Sequence, residues 1–449
     1  MSKETPNAAR LGAFVAASAA RTTPDAVLDA GRLCLADWLA VTIGAGSEDA
    51  GRIVRDLVAK TGAPGRATVL FGGTAAATSA ALANGTLAHC LDFDDTHVGS
   101  NTHTSAPVWA ATLAVAEAQD AAESAMLRAF ITGFEVSAGL GLGMGQPLTA
   151  RGWHATGTFG RIGAAAAAAA LLTLDQTRAM HALALAATQA GGLTGSFGTM
   201  AKPFHAGKAA SDGVLAAELA SAGLVAAPGV LEPGGGLEQA LVQDGGARIQ
   251  PARFEAWQIL ANSVKPYAAC HLVHPAVDAA RGANLPVADI RRVRASVSPL
   301  AMQMTGHTDA RPGTSLAAKF DLRYCLALAL HGRPLSARDF PEPWHLEDAV
   351  AATAALVEPL PDPQVGYASA RLDVEFNDGR TSTHEIATAK GHPGNPVSWD
   401  DMWAKFDGLV SPRLGPETET LFANVRNLAR DAKRPALAAI RQTLRALRI

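Results

Sequence analysis

Cysteine is scarce in this chain, and its spacing excludes two common frameworks. The 449 residues include four cysteines, Cys34, Cys90, Cys270 and Cys325, and no two of them form a CxxC pair. Neither a zinc ribbon nor a set of disulfides can be derived from such a pattern. We therefore expect a protein of a reducing compartment, with the cytoplasm as its predicted location.

The sequence also lacks long apolar runs and long basic runs. No apolar stretch reaches the ~18 residues of a membrane-spanning helix. Lysine and arginine number 38 against 41 acidic residues, which gives a formal charge of −3. A chain of this balance, without a basic patch, is not expected to bind a phosphate backbone. Neither a membrane nor nucleic acid is a predicted partner.

One N-terminal apolar run, LGAFVAASAA at residues 11–20, has the length of a signal-peptide core. Glu4 and the missing basic lead favour a different interpretation, an amphipathic first helix. We expect that helix to continue past Thr22 and to break or restart at Pro24.

The length and periodicity of the chain predict two domains, because a single core rarely grows beyond roughly 300 residues. Apolar residues recur every three to four positions up to about residue 265, and the alanine run 164–170 predicts a buried packing helix. Alternation typical of strands follows in 291–304, and 370–389 predicts a hairpin that turns at Asn377-Asp378-Gly379. Helical periodicity returns from Trp399.

The predicted fold class is therefore mostly α with a smaller α+β domain. We assign residues 1–267 and 396–449 to a large helical domain. Residues 268–395 form the predicted α+β domain between these two helical parts.

The densest cluster of titratable residues is LAHCLDFDDTHVGSNTH at 87–103. It contains three aspartates and three histidines: Asp92, Asp94, Asp95, His89, His97 and His103. A metal cage, an acid/base site and a solvated loop all fit this composition, and Asp is also a common helix cap. The chain has no HExxH or EF-hand spacing that would favour a metal.

Three further clusters collect basic residues near probable helix ends. His154 precedes the alanine helix, in the position where backbone N–H groups favour an anion. Two other stretches supply lysines and histidines: Lys202, His205 and Lys208 in the first, and Lys265, His271 and His274 in the second. Such a concentration of cations in an acidic chain predicts an anionic ligand.

Five stretches in this order resemble the MmgE/PrpD family over essentially the whole chain: NGTLAHCLDFDDTH, GWHATGTFG, GTMAKPFHAGKAASDGVLAAELA, SVKPYAACHLVHPAVDA and KFDLRYCLALALHG. The family contains 2-methylcitrate dehydratases, cis-aconitate decarboxylases and iminodisuccinate epimerases. The resemblance implies an all-helical domain built from both chain ends, an α+β lid domain, a homodimer, and no metal or organic cofactor.

The resemblance also implies the site residues. Asp92, His103, His154 and Tyr324 are the expected catalytic residues, and Lys202, Lys265, Thr96, Cys270 and His274 are expected to bind substrate. Asp94 and Asp95 are expected to be structural. Two positions depart from the family pattern and weigh against a decarboxylase: Thr104 stands where proline is common, and Cys270 where decarboxylase-like members tend to carry histidine.

The expected chemistry is proton abstraction next to a carboxylate of a small di- or tricarboxylate. Lys202 and Lys265 would neutralise substrate carboxylates. His103, oriented by Asp92, would be the base, with His154 as the opposing acid and Tyr324 as hydrogen-bond donor or alternate acid. A hydro-lyase similar to 2-methylcitrate dehydratase is the leading prediction. An epimerase, a decarboxylase, a carboxylate-binding protein and a metal hydrolase are the alternatives.

Overall fold

A computed structural model describes residues 5–243, 248–250, 252–306, 311–341, 344–431 and 436–448. Contacts within the chain divide it into two compact units. The first comprises Met1–Ser263 with Met402–Ile449, and the second is Val264–Asp401. Helices account for 58% of the structure, and strands are few, which confirms the predicted mostly α fold with a smaller α+β part.

The first unit is a helical assembly with one short hairpin. Its N-terminal part contains eleven α-helices in the described residues: α1 Asn7–Ala16, α2 Asp25–Gly44, α3 Asp49–Thr61, α4 Ala77–Ala88, α5 Ser105–Ala118, α6 Glu123–Gly141, α7 Gly145–Ala150, α8 Ala155–Leu171, α9 Gln176–Ala187, α10 Ala201–Ser221 and α11 Gly236–Leu241. Strands β1 Ala67–Val69 and β2 Gly73–Ala75 pair antiparallel. This hairpin was not predicted, because three-residue strands are too short to show a period.

The second unit contains a small mixed sheet and short helices. Its elements are α12 His274–Ala283, β3 Ile290–Val297, α13 Pro299–Thr305, α14 Ser315–Lys319, α15 Leu322–Leu330, α16 Asp348–Ala354, β4 Val357–Pro361, β5 Ala370–Phe376 and β6 Thr381–Ile386. The sheet order is β4-β3-β5-β6, in which only the β3–β4 pair is parallel. The chain then forms α17 Trp399–Leu414, α18 Glu417–Asn427 and α19 Leu437–Ala446.

Two strand predictions are confirmed in the second unit. β5 and β6 form the predicted hairpin, and Gly379 adopts the left-handed φ of 84° that its turn requires. β3 buries Val293, Ala295 and Val297, as the alternation indicated. The strand ends at Val297 because the Ser298 side chain caps α13, which begins at Pro299.

The first helix is shorter than predicted. It ends at Ala16 and does not continue past Thr22. The Arg21 guanidinium lies 3.5 Å from the Phe14 ring centroid and donates to the Phe14 carbonyl, which folds the chain back on the helix. Pro24 also disfavours helical dihedrals at Thr23, so a new helix starts only at Asp25. None of the helices in the described residues is both long enough and apolar enough to cross a membrane.

Small residues bring α4, α8 and α10 into close contact. Residues 164–169 of α8 are alanines with no exposed surface, which confirms the predicted packing helix. A Cβ built on Gly207 of α10 would lie 2.3 Å from the Leu82 carbonyl oxygen of α4, and one on Gly213 would lie 2.5 Å from Ala164 Cβ. Glycine is therefore required at both positions for the helices to approach this closely.

A buried ion pair anchors the segment that follows α4. Lys405 of α17 places its Nζ 2.5 Å from Asp37 Oδ1 of α2 and donates to the Phe93 carbonyl at 2.7 Å. Asp37 Oδ2 accepts the Asp95 backbone N–H at 3.1 Å. Both charged side chains are at most 2% exposed. Burial raises the pKa of Asp37, and the charge of Lys405 opposes that rise.

Replacing Lys405 by methionine is expected to destabilise the protein by about 3–5 kcal/mol, because Asp37 would keep a buried charge without its partner. Lys405→Arg, which retains the charge, should lose less. Lys390→Met is the matched control: its 2.7 Å pair with Asp401 is one-third exposed, and such pairs contribute about 0–1 kcal/mol. Urea unfolding measures all three variants. Equal losses for Lys405→Met and Lys390→Met would refute the anchoring role.

Candidate active site

The segment between α4 and α5 carries most of the cluster and is held by backbone bonds. Thr96 and Ser263 exchange backbone hydrogen bonds of 2.8 and 2.9 Å, and the His97 N–H donates to the Thr102 carbonyl at 2.8 Å. Asp92 adopts a left-handed φ of 51°, which is sparsely populated outside glycine, asparagine and aspartate. The tight turn directs successive side chains of the segment to different neighbours.

His103 lies between two carboxylates of the first unit. Its Nδ1 is 3.3 Å from Asp94 Oδ2, and its Nε2 is 3.8 Å from Asp92 Oδ1. Thr96 Oγ1 is 3.5 Å from the same Nδ1. The structure thus brings Asp92, Thr96 and His103 together. Each ring nitrogen of His103 therefore faces a carboxylate oxygen that can accept a hydrogen bond.

Asp94 belongs to this cluster, although it was expected to be structural. Its Oδ2 is 2.8 Å from Nδ1 of His89, and both side chains are buried. Burial alone would raise the pKa of Asp94, but the rings of His89 and His103 hold that pKa well below its ordinary value. Burial lowers the pKa of His89. Asp94 is therefore a buried negative charge in contact with His103.

The Asp95 side chain, in contrast, contacts Ser105 and Asn262, and its backbone N–H donates to Asp37 of the buried ion pair. Its carboxylate accepts from the Ser105 hydroxyl and, at 2.7 Å, from the Asn262 side-chain amide. Burial and the nearby charge of Asp37 raise the pKa of Asp95 to about 7. These bonds fix the start of α5 relative to the segment that carries His103.

Lys202 is paired with Asp92. Its Nζ lies 2.7 Å from Asp92 Oδ1, and it is 5.3 Å from the centroid of the Phe197 ring. As predicted, the residue lies in the first turn of a helix, α10, which begins at Ala201. Its expected role is to neutralise a substrate carboxylate, and in this structure it contacts the carboxylate of Asp92 that also faces His103.

His154 completes this face of the first unit. It precedes α8 as its N-terminal cap residue, 4% exposed, with its ring centroid 5.9 Å from that of His89 and 4.9 Å from that of Phe197. Its Nδ1 lies 3.1 Å from Nδ1 of His205. Burial lowers its pKa well below the ordinary value, and the neighbouring histidines and Lys202 lower it further. At neutral pH this ring is therefore uncharged.

Four residues near this site were not assigned a catalytic or substrate-binding role from the sequence: His89, Asp94, Phe197 and His205. The stretch that carries Lys202 gave a usable signal for one of them, because His205 lies three positions later and so on the same helix face. His89 Nε2 and Asp94 Oδ1 are buried and have no hydrogen-bond partner among the described residues. A bound substrate or water would satisfy such atoms.

The other predicted site residues belong to the second unit. Lys265 is 3% exposed, and Cys270 precedes a short 3-10 turn at His271–Val273. His274 begins α12, where its Nε2 lies 3.2 Å from the Ala269 carbonyl and its ring stacks on that of His271. Tyr324 is buried in α15, and burial raises its pKa. All four of these predicted residues lie in the second unit.

Four side chains of the cluster in the first unit lie close enough together to be candidate ligands of a cation. His89, Asp92, Asp94 and His103 each place one ligand atom within 4.8 Å of the others. Ligands of a tetrahedral zinc ion lie closer, roughly 3.3 Å apart. The ammonium of Lys202 already contacts Asp92, and a second cation there would be repelled. The donor set therefore fits acid/base chemistry better than a metal cage.

Comparison with known proteins identifies relatives over most of the chain. Residues 9–250 match the MmgE/PrpD N-terminal domain, and residues 267–429 match the MmgE/PrpD C-terminal domain. Cis-aconitate decarboxylase of Aspergillus terreus is 28% identical over 365 residues, which cover 73% of this chain and 74% of the relative. The human protein called cis-aconitate decarboxylase is 29% identical over 374 residues, 78% of this chain and 76% of the relative.

The Asp95→Asn variant is expected to gain stability relative to the wild type as pH rises. The unfolded Asp95 carboxyl ionises near pH 4, whereas the folded one retains its proton to about pH 7. Its contribution to stability is therefore largest below about pH 4 and is lost as pH rises to about 7. Asparagine does not titrate. The free energy of unfolding of the variant minus that of the wild type should rise between pH 5 and 8. A difference independent of pH would contradict the raised pKa.

Proposed function

Because this chain belongs to the MmgE/PrpD family, we propose that it is a lyase that decarboxylates cis-aconitate or a closely related small tricarboxylate. The observation that carries the proposal is His103 held between Asp92 and Asp94, with Lys202 bonded to Asp92. The named relatives support decarboxylation over the dehydration that the sequence favoured. All of these side chains lie in one unit.

The proposed step breaks the bond between a substrate carbon and one carboxylate. CO₂ leaves, the electron pair stays on the carbon, and a proton must be added there. A trianionic substrate and one proton thus give a dianionic product and CO₂. His103 is the proposed donor, because its ring lies between Asp92 and Asp94, with one nitrogen facing a carboxylate oxygen of each. Asp92 keeps its predicted role of orienting this ring.

Charge neutralisation is the proposed role of the lysines. A carboxylate of the substrate would join or replace Asp92 on the Lys202 ammonium. The roles of Lys265, Thr96, Cys270 and His274 as substrate contacts, and of Tyr324 as a catalytic residue, remain predictions from the family resemblance. Removing one donor from an oxyanion hole destabilises the transition state by about 3–4 kcal/mol. We expect a fixed contact between a lysine and a substrate carboxylate to have an effect of this size.

Dehydration is the second candidate, since Thr104 and Cys270 depart from the decarboxylase-like pattern. A hydro-lyase must protonate the departing hydroxyl as well as remove a C–H proton. His154 was the predicted acid, yet its lowered pKa makes it neutral and better suited to accept a proton. A neutral ring can still remove a C–H proton, so the preference for decarboxylation rests on the named relatives. A homodimer, a lid role for the second unit and independence from cofactors remain predictions.

The reaction is tested by incubating the enzyme in D₂O with cis-aconitate, citrate, 2-methylcitrate and iminodisuccinate. We expect cis-aconitate to release CO₂ and to give a product with one deuteron on the carbon that lost the carboxylate. Proton NMR detects that label on the product. His103→Asn should lower the rate by about 10²–10⁴ if the ring transfers the proton.

His181→Ala is the control for this test, because that ring bonds the Ala226 carbonyl outside the cluster. An alkene signal from 2-methylcitrate with no CO₂ would establish dehydration instead. Inversion of iminodisuccinate would establish epimerisation. Binding without any turnover would favour the carboxylate-binding protein.

Lys202→Met should reduce kcat/KM for the substrate by about 10²–10³, the effect of removing one oxyanion-hole donor. Lys208→Met is the matched control on the same helix, because Lys208 is half exposed and pairs with Asp212 instead. Steady-state kinetics and thermal unfolding together separate a lost contact from a lost fold. Unchanged kinetics in Lys202→Met would remove this lysine from the clamp.

A further inference from the structure

His205 is bonded to His154 in a geometry that allows one shared hydrogen. The two Nδ1 atoms are 3.1 Å apart, and the ring centroids are 5.3 Å apart. One of the two nitrogens must donate while the other accepts. The state of His205 therefore decides whether Nδ1 of His154 carries a proton, and with it the tautomer of the buried ring.

The backbone is shaped to permit this pair. Gly192 adopts a φ of 105°, and a Cβ at that position would lie 3.2 Å from His154 Cβ and from both Cγ and Nδ1 of His205. The Gly192 carbonyl accepts the His154 N–H at 2.9 Å. A side chain at 192 would thus separate the rings, whereas glycine fixes the backbone of His154 beside His205.

The two rings differ in access to water. His154 is 4% exposed, whereas His205 is only partly buried and lies on α10, one turn after Lys202. The charged or titratable groups around the pair are His89 and His103 from the segment between α4 and α5, Lys202 on α10, and Arg161 on α8. Asp212 pairs with Arg161 at 3.0 Å. His205 is therefore the member of the pair that can exchange protons with solvent.

We propose that His205 is a proton relay that passes protons from solvent to His154 and sets its tautomer. The inference rests on the proposed function, because decarboxylation consumes one proton in every turnover. A proton from water binds His205 Nε2, the proton on His205 Nδ1 passes to Nδ1 of His154, and His154 gives its Nε2 proton to the His103 ring that has protonated the product. Both rings are then neutral with their tautomers exchanged, and each must regain its first tautomer through water before the next turnover.

Chemical rescue tests the relay. His205→Ala should lower kcat for the decarboxylated substrate by on the order of tenfold, less than the 10²–10⁴ of a group that transfers the proton directly. Added imidazole should restore kcat in a saturable manner, while KM stays near the wild-type value. His181→Ala should keep the wild-type kcat and show no response to imidazole. Sodium chloride at equal ionic strength should not rescue either variant.

Nitrogen NMR of histidine-labelled protein tests the pair without any turnover. The signals of His154 and His205 are assigned from His154→Asn and His205→Asn. One Nδ1 should be protonated and the other not, and His205→Asn should change the protonation of His154 Nδ1.

The outcomes separate the relay from the proposed function. If the wild type decarboxylates and His205→Ala keeps full kcat, or loses kcat without rescue, the relay is wrong and the function stands. If no substrate turns over, the proposed function fails and NMR decides the pair. A His154 ring that is unaffected by His205→Asn would overturn the inference.

Discussion

The buried contact between Lys405 and Asp37 is the constraint on which the candidate site depends. Lys405 lies in α17, in the C-terminal part of the first unit. Its ammonium nevertheless donates to the carbonyl of Phe93, which stands between Asp92 and Asp94 in the sequence. Asp37 holds the next backbone N–H, that of Asp95. Residues almost 370 positions apart thus fix a short segment that turns at Asp92, where φ is left-handed.

In the candidate site, burial and neighbouring charges shift the pKa values of adjacent groups in opposite directions. Desolvation lowers the pKa of His89 and of His154, while the rings of His89 and His103 hold the pKa of Asp94 well below its ordinary value. Groups with such different proton affinities within a few ångströms are typical of sites that transfer protons. The arrangement gives the site one strong negative charge, one lysine and several rings that can exchange hydrogen.

Close helix packing makes this concentration of rings possible. Alanine and glycine on α4, α8 and α10 allow backbones to approach within distances that larger side chains would prevent. The ends of α4 and α8 and the first turn of α10 carry His89, His154 and Lys202, respectively. The small residues therefore serve the site indirectly, since they set the spacing between the helices that carry these side chains.

The sequence by itself determined the elements with a clear period or a clear break. The alanine helix, the strand with Val293 and the hairpin at Gly379 follow from local propensity, because each needs only neighbouring residues. The ordered stretches also indicated the family and the segments that hold Asp92, His103, His154 and Lys202. The end of the first helix was misjudged, since the contact of Arg21 with Phe14 lies outside helical periodicity.

Only the tertiary structure decided which charges meet. It paired Lys202 with Asp92, placed Asp94 against His103 while Asp95 joined the anchor, and brought His205 to His154. Adjacent aspartates are indistinguishable in a sequence, because their roles depend on the direction of each side chain and on partners from distant segments. The proton affinity of a histidine likewise depends on burial and neighbouring charge, which chain order does not specify.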